Sequence, residues 1–261
     1  MKSFENKTVL ITGASAGIGK VFAEKLAAQK ANLLLTARRE NVLSEMAADL
    51  TKRYGITAHV FKSDLMVPDA AYQIYDWTKA LGKTVDVLIN NAGFGAYGRF
   101  DEMACESSQG MLQVNVQALV TMTRLFLPEI KKQKGGLIQI ASTAAFQPLP
   151  YLALYAATKA FVKTFSEGIW AENRDIRVFC LCPGNTESEF HDTAGIHQKK
   201  VFLRATTEEL VSFGLEKFLH TDAPTRIHGA MNFVLAFSNR FIPPRVALWV
   251  AHKLYEIRAG K

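Results

Sequence analysis

Two hydrophobic periods alternate along this chain, and that alternation restricts its fold more than any other feature. Six short, nearly continuous apolar runs, "TVLITG" from Thr8, "NLLLTA" from Asn32, "AHVFKSD" from Ala58, "VDVLINNAG" from Val85, "GLIQIAS" from Gly136 and "IRVFCLCPG" from Ile176, are rich in Val, Ile and Leu, and all but the second end on Gly, Ser or Asp. Runs of that kind suit strands buried on both faces, which parallel sheets require. The segments between them, such as "GKVFAEKLAAQK" and "ENVLSEMAADLTKRYG", repeat their apolar residues every three to four positions, as amphipathic helices do. Six strand–helix units predict an α/β, doubly wound, Rossmann-type parallel sheet flanked by helices.

No Pro/Gly-rich linker or charge block interrupts the pattern, so residues 1–261 are read as one nucleotide-binding domain. A content of 49% hydrophobic and 21% charged residues is that of a globular protein with a substantial core. The first strand follows at once on "MKSFENK" and no apolar stretch reaches membrane-spanning length, so a cytoplasmic protein is expected. Of Cys105, Cys180 and Cys182, the last two are read as pointing to opposite faces of one strand, which favours reduced core thiols over a disulfide or a metal site. The net charge of +7 comes from scattered basic residues with only short clusters, and no basic stripe interleaved with aromatics argues for nucleic acid. No cysteine or carboxylate pattern near His191 and His197 makes a metal site, so both are read as solvated loop residues and no metal is expected.

The turn after the first strand reads "TGASAGIG", residues 12–19. Gly13, Gly17 and Gly19, with Ser15 and Ile18 between them, stand where a strand passes into a helix and where backbone must approach a pyrophosphate closely. Further along come "NNAG" at 90–93, Asn115, Ser142, Tyr155, Lys159 and "PG" at 183–184. This ordered set, covering about residues 5–190, resembles the short-chain dehydrogenase/reductase family, and within it a bacterial oxidoreductase branch related to long-chain 3-oxoacyl and steroid reductases. The resemblance implies hydride transfer between a nicotinamide dinucleotide and a carbonyl or alcohol. A protein that keeps the site as a dinucleotide sensor without turnover is the alternative.

Tyr155 and Lys159 share the i, i+4 spacing of Tyr75 and Lys79, so spacing alone cannot identify a reacting pair. Position does. In a sheet ordered 3-2-1-4-5-6, strands 1, 4 and 5 flank the ligand crevice; Tyr155 follows the fifth strand, whereas Tyr75 follows the third and is read as lying on a solvated helix. A carbonyl accepting hydride needs a proton, and a free phenol with a pKa of about 10 holds its proton too firmly near neutrality. An ammonium one turn away stabilises the phenolate, and Ser142 can donate a hydrogen bond to the substrate oxygen. By resemblance, Lys159 also binds the nicotinamide ribose, and Asn115 holds a water that relays protons from Lys159; read by itself, Asn115 is equally a hydrogen-bonded core amide in mid-helix.

The remaining cofactor positions follow the same resemblance: Asp64 and Leu65 at the adenine, with a helix N-cap as the other reading of Asp64; Asn91 near the adenosine ribose, beside Asn90 pinning the fourth strand; and Pro183, Gly184 and Thr186 at the carboxamide. At the end of the second strand, "LLLTARRE", the family's acidic position matches Ala37, which neither binds ribose hydroxyls nor repels a 2′-phosphate. Arg38 next to it offers a planar cation for phosphate oxygens. NADP(H) is therefore expected, with Glu40 as the counter-candidate for a ribose acceptor.

The substrate lid is placed at about 187–205. Its Phe190, Val201, Phe202 and Leu203, together with Phe94, Phe146, Leu149 and Leu152, predict an apolar pocket for a small-molecule carbonyl or alcohol of lipophilic character. The end of the chain, about 230–261, reads as a helical extension broken at Pro243 and Pro244, with Val246, Val250, Leu254 and Ile257 on one face. Packing on its own domain or on a subunit of a homo-oligomer, a dimer or tetramer, is one reading of that face; peripheral membrane contact is the other.

Overall fold

The computed structural model describes residues 1–186, 205–238 and 241–258. Among these, the strands β1 (Thr8–Thr12), β2 (Asn32–Ala37), β3 (Ala58–Lys62), β4 (Val87–Asn90), β5 (Gly136–Ile140), β6 (Arg177–Cys182) and β7 (Thr225–Ile227) form one sheet in the order β3-β2-β1-β4-β5-β6-β7. Every pairing is parallel. The helices are α1 (Gly17–Ala28), α2 (Glu40–Tyr54), α3 (Ala70–Ala80), α4 (Cys105–Leu112), α5 (Leu119–Lys132), α6 (Ala153–Glu172), α7 (Thr207–His220), α8 (Ala230–Ser238) and α9 (Pro244–Arg258). All six apolar runs became strands in the expected order; five of them are largely buried, while β3, at the edge of the sheet, is only partly covered. Alternate residues of one strand serve two cores: Val9, Ile11, Leu33 and Leu35 pack with Phe22 and Leu26 of α1, while Leu10, Leu34 and Leu88 pack with Ile74 of α3 and Phe126 of α5.

The sequence reading missed β7. Its three residues, TRI, make too short a run to carry a period, and only pairing with Cys180–Cys182 of β6 makes them a strand. The reading of the two cysteines is corrected as well. Side chains alternate with a period of two, so residues two apart share a face. Cys180 and Cys182 are both buried, with Sγ atoms 4.0 Å apart.

Between α4 and α5 the helix widens into a π turn, Gln113–Ala118, which contains Asn115. The sequence placed Asn115 in an ordinary helix; π turns are inserted locally and often mark functional sites. After β7, α8 and α9 form the helical C-terminal extension. No helix among the described residues is long and apolar enough to cross a membrane. The lid residues Phe190, Val201, Phe202 and Leu203 and the histidines His191 and His197 lie outside the described residues, as do the side chains of Leu254 and Ile257.

Candidate active site

β1 has β2 on one side and β4 on the other, so the connections leaving their carboxyl ends diverge and open a crevice. A cavity of about 650 Å³ occupies it. The turn after β1 forms its floor. Gly17 has φ +51°, a left-handed value that side chains with a Cβ resist. Gly19 serves packing instead: a Cβ there would stand 2.3 Å from the Gly13 carbonyl oxygen, so glycine lets α1 settle against the loop.

Gly13, Ser15, Gly17 and Ile18 line the cavity. α1 begins there without a side-chain cap and without an acidic residue in its first turn, which leaves backbone N–H groups and the positive end of the helix dipole for an anion. Asn91 ties the loop to β4: its Nδ2 donates to the carbonyls of Thr12 (2.9 Å) and Gly13 (3.2 Å). Thr12 Oγ1 in turn accepts the backbone N–H groups of Asn91 and Ala92, each at 3.0 Å. Asn90 donates to Thr123 Oγ1 (3.1 Å) and so fastens β4 to α5.

At the β2–β3 end, Ala37, the exposed Arg38, Asp64 and Leu65 line the same cavity. Arg39, beside them, lines the cavity as well and donates to Ser15 Oγ (3.2 Å) and the Ser15 carbonyl (3.3 Å). Asp64 accepts the N–H of Met66 (3.0 Å), a local turn. Glu40 opens α2 and does not line the cavity. Two hydroxyls nearby, Thr36 Oγ1 and Ser63 Oγ, line the cavity, are buried, and have no hydrogen-bond partner among the described residues. Buried polar groups without partners are uncommon. Together with the uncapped α1 and the cation at Arg38, they make this half of the cavity chemically suited to a phosphorylated nucleoside.

At the other end, β5 delivers Ser142, whose Oγ accepts the N–H of Ala144 (3.1 Å) and caps a 3-10 turn, Thr143–Phe146. The first turns of α6 deliver Tyr155 and Lys159, respectively 8% and 5% exposed. Ser142, Tyr155 and Lys159 all line the cavity. Lys159 Nζ donates to the Ile140 carbonyl (2.9 Å) and lies 5.8 Å from the Tyr155 ring centroid. Burial pulls the Lys159 ammonium down from its ordinary 10.5 to about 8, because desolvation disfavours the charged form.

Asn115 and Gly19 do not line the cavity. Asn115 sits one layer behind, 1% exposed. Its Oδ1 accepts the Phe94 N–H (3.0 Å), while Nδ2 donates to the Phe94 carbonyl (2.8 Å) and to Thr158 Oγ1 (3.1 Å). A Cβ on Gly93 would stand 3.0 Å from Asn115 Oδ1 and 3.2 Å from Lys159 Nζ, so both groups converge on the backbone of that glycine.

Pro183, Gly184 and Thr186 close the far wall, held by a bond from the Thr143 N–H to the Pro183 carbonyl (2.8 Å). Of the predicted apolar residues, Phe94, Leu149 and Leu152 line the cavity. Phe146 does not; it packs beside Phe237, with ring centroids 5.8 Å apart. Asn232 and Leu235 of α8 contribute wall that the sequence reading did not assign. A Cβ on Gly184 would lie 2.2 Å from Asn232 Nδ2, a contact made across many residues of chain that leaves no local signal.

The second tyrosine–lysine pair lies elsewhere. On α3, the Tyr75 ring packs edge-on against Phe126 (5.2 Å), and Lys79 lies over it at 4.7 Å while pairing with Glu129. Tyr75 is partly buried, where a solvated position was expected.

The chain is similar in sequence and in fold to known proteins. The chain is 35% identical over 170 residues to a very-long-chain 3-oxoacyl-CoA reductase of Anas platyrhynchos, covering 62% of this chain and 54% of that protein, so it spans about half of that relative's length. It is 32% identical over 250 residues to a protein of the same name in Pyrenophora tritici-repentis, covering 90% of this chain and 72% of the relative. A short-chain dehydrogenase from Sphingobium yanoikuyae, solved in complex with NADPH, superimposes with a TM-score of 0.80 at 30% identity, over 90% of this chain and 93% of that one. The family profile described as short chain dehydrogenase matches residues 7–199, from the first strand through the catalytic-type pair on α6 and past β6, and the chain belongs to that family of oxidoreductases.

Proposed function

We propose that this chain is an NADP(H)-dependent carbonyl reductase or alcohol dehydrogenase for a lipophilic substrate. The observation that carries the reading is the convergence of Ser142, Tyr155 and Lys159 on one cavity with the glycine loop. When bound, the dinucleotide supplies the hydride. The chain supplies everything else. Tyr155 gives a proton to the oxygen that receives hydride or takes it back in oxidation, Ser142 donates a hydrogen bond to that oxygen, and the Lys159 ammonium stabilises the phenolate left behind. With an ammonium poised near pH 8, Lys159 can pass its proton on at physiological pH. Asn115, anchored to Phe94 and Thr158, braces the wall behind Lys159 and belongs to the path by which that proton reaches solvent.

Gly13, Ser15, Gly17 and Ile18 receive the pyrophosphate, with Gly19 setting the loop against α1. Asp64, Leu65 and Asn91 border the adenosine, and Pro183, Gly184 and Thr186 border the carboxamide. Arg38 beside Ala37 favours a 2′-phosphate, and the neighbouring hydroxyls of Thr36 and Ser63 add polar contacts. Phe94, Leu149, Leu152 and Leu235 support a lipophilic substrate. The family's habit of self-association supports a homo-oligomer.

The experiment is turnover of a panel of ketones, aldehydes and alcohols followed by nicotinamide absorbance, paired with titration of NADPH and NADH. Reduction of apolar ketones with NADPH is the expected result. Tight dinucleotide binding with no turnover across the panel would instead assign the chain as a dinucleotide sensor.

A further inference from the structure

Ten of the sixteen large apolar side chains left exposed among the described residues fall between Met231 and Val250, on α8, α9 and the turn joining them. Phe241, in the turn, is 87% exposed and Trp249 64%. From Ala230 to Lys253 the sequence contains no Asp or Glu, while Arg245 and Lys253 are exposed cations. We infer that this face docks on an anionic lipid bilayer, with the Phe241 turn and Trp249 entering the apolar boundary and Arg245 and Lys253 meeting lipid phosphates.

Three features favour a bilayer over a second copy of the chain. On α9, Val246, Leu248, Trp249 and Val250 are all exposed, and at about 100° per residue they share roughly one half of the helix surface with the exposed Arg245 and Lys253. A dry contact with a protein partner would bury those two cations along with the apolar side chains, whereas a headgroup layer takes up both. A two-fold contact between copies would also bring Arg245 near the partner's like charges, and from Ala230 to Lys253 the sequence has no carboxylate to offset them. Basic residues beside aromatic and aliphatic ones are the composition that lies in a membrane interface.

The face is also continuous with the cavity. Leu235 is 55% exposed yet lines it, and Asn232 one turn away sits against Gly184. On the opposite side, His252 of α9 packs beside the Tyr151 ring at 5.7 Å, between the wall residues Leu149 and Leu152. A docked molecule would open its substrate mouth toward the lipid, so a lipophilic carbonyl could enter without crossing water. This second part rests on the functional reading above; docking itself does not.

The test is co-sedimentation of the full chain with phosphatidylcholine vesicles and with vesicles containing phosphatidylglycerol, together with tryptophan emission. Binding to the anionic vesicles is expected, with a blue shift that Trp249→Phe abolishes while still binding. Phe241→Ser with Trp249→Ser should weaken binding at least tenfold, and Arg245→Gln with Lys253→Gln should weaken it roughly tenfold at low salt. Turnover of a water-soluble ketone should be unchanged in these variants, and turnover of a ketone dissolved in the vesicles should fall. Failure of the wild type to bind either vesicle would overturn the inference. So would a concentration-dependent dimer that the apolar variants convert to monomer, which would assign the face to a second copy. Binding to vesicles without turnover of any ketone would leave docking intact and count against the proposed function alone.

Discussion

Tyr155 with Lys159 on α6 and Tyr75 with Lys79 on α3 share residue types, spacing and helical geometry, yet their surroundings set them to different tasks. Lys159 is 5% exposed, bonded to a backbone carbonyl, with its ammonium pulled down to about 8 by burial. Lys79 is exposed and paired with Glu129, and its tyrosine packs on Phe126 as part of a core. On the proposed function, a pair at i, i+4 becomes chemical when the strand before it ends at the crevice and its lysine is desolvated there; the pair on α3 serves packing.

The largest expected effect separates the two tyrosines directly. Tyr155→Phe should lower turnover by roughly 10²–10⁴-fold with dinucleotide affinity nearly unchanged, because it deletes a proton donor and little volume. Tyr75→Phe should leave turnover within about twofold. Equal losses in a working assay would refute the argument from position.

The lysines can be compared through stability. The folded state holds the Lys159 proton less tightly (about 8) than the unfolded chain (10.5), so below pH 8 both states are charged and folding bears the full desolvation penalty. Between 8 and 10.5 the folded protein sheds its proton first and stability rises with pH. Lys159→Met should therefore abolish turnover yet raise the melting temperature most below pH 8, the gain shrinking as pH approaches 10.5. A gain independent of pH would show that Lys159 is not desolvated.

Arg38 sharpens the contrast from the other side, since it is exposed like Lys79 but borders the cavity. Ala37→Asp with Arg38→Ala should weaken NADPH binding about tenfold or more and improve NADH, one change adding repulsion and the other removing a charge-assisted contact. Wild-type protein binding both dinucleotides equally at physiological salt would sink the preference. The smallest effect on turnover belongs to Lys79→Met, which removes the exposed half of an ion pair with the part-buried Glu129 and should leave turnover within about twofold, read in the same assay.

Much of this was legible before any coordinates. The strands follow from hydrophobic period, their order from the doubly wound fold type, and the choice of Ser142, Tyr155 and Lys159 from the resemblance to the dehydrogenase family. These are local signals summed over many residues. The pairing of the two cysteines on one face was legible too, since it follows from a period of two, and it was misread.

What tertiary structure decided is of another kind. β7 exists because β6 offers an open edge; the π turn carries Asn115 to a two-way bond with Phe94; Phe146 left the cavity for Phe237, and Asn232 and Leu235 entered it from a distant helix. The desolvation of Lys159 is the plainest case, because no spacing encodes it. The sequence determined which groups arrive at the crevice, since periodicity acts along the chain; burial, charge state and the remaining wall arise from residues far apart in sequence that meet only when the layers close.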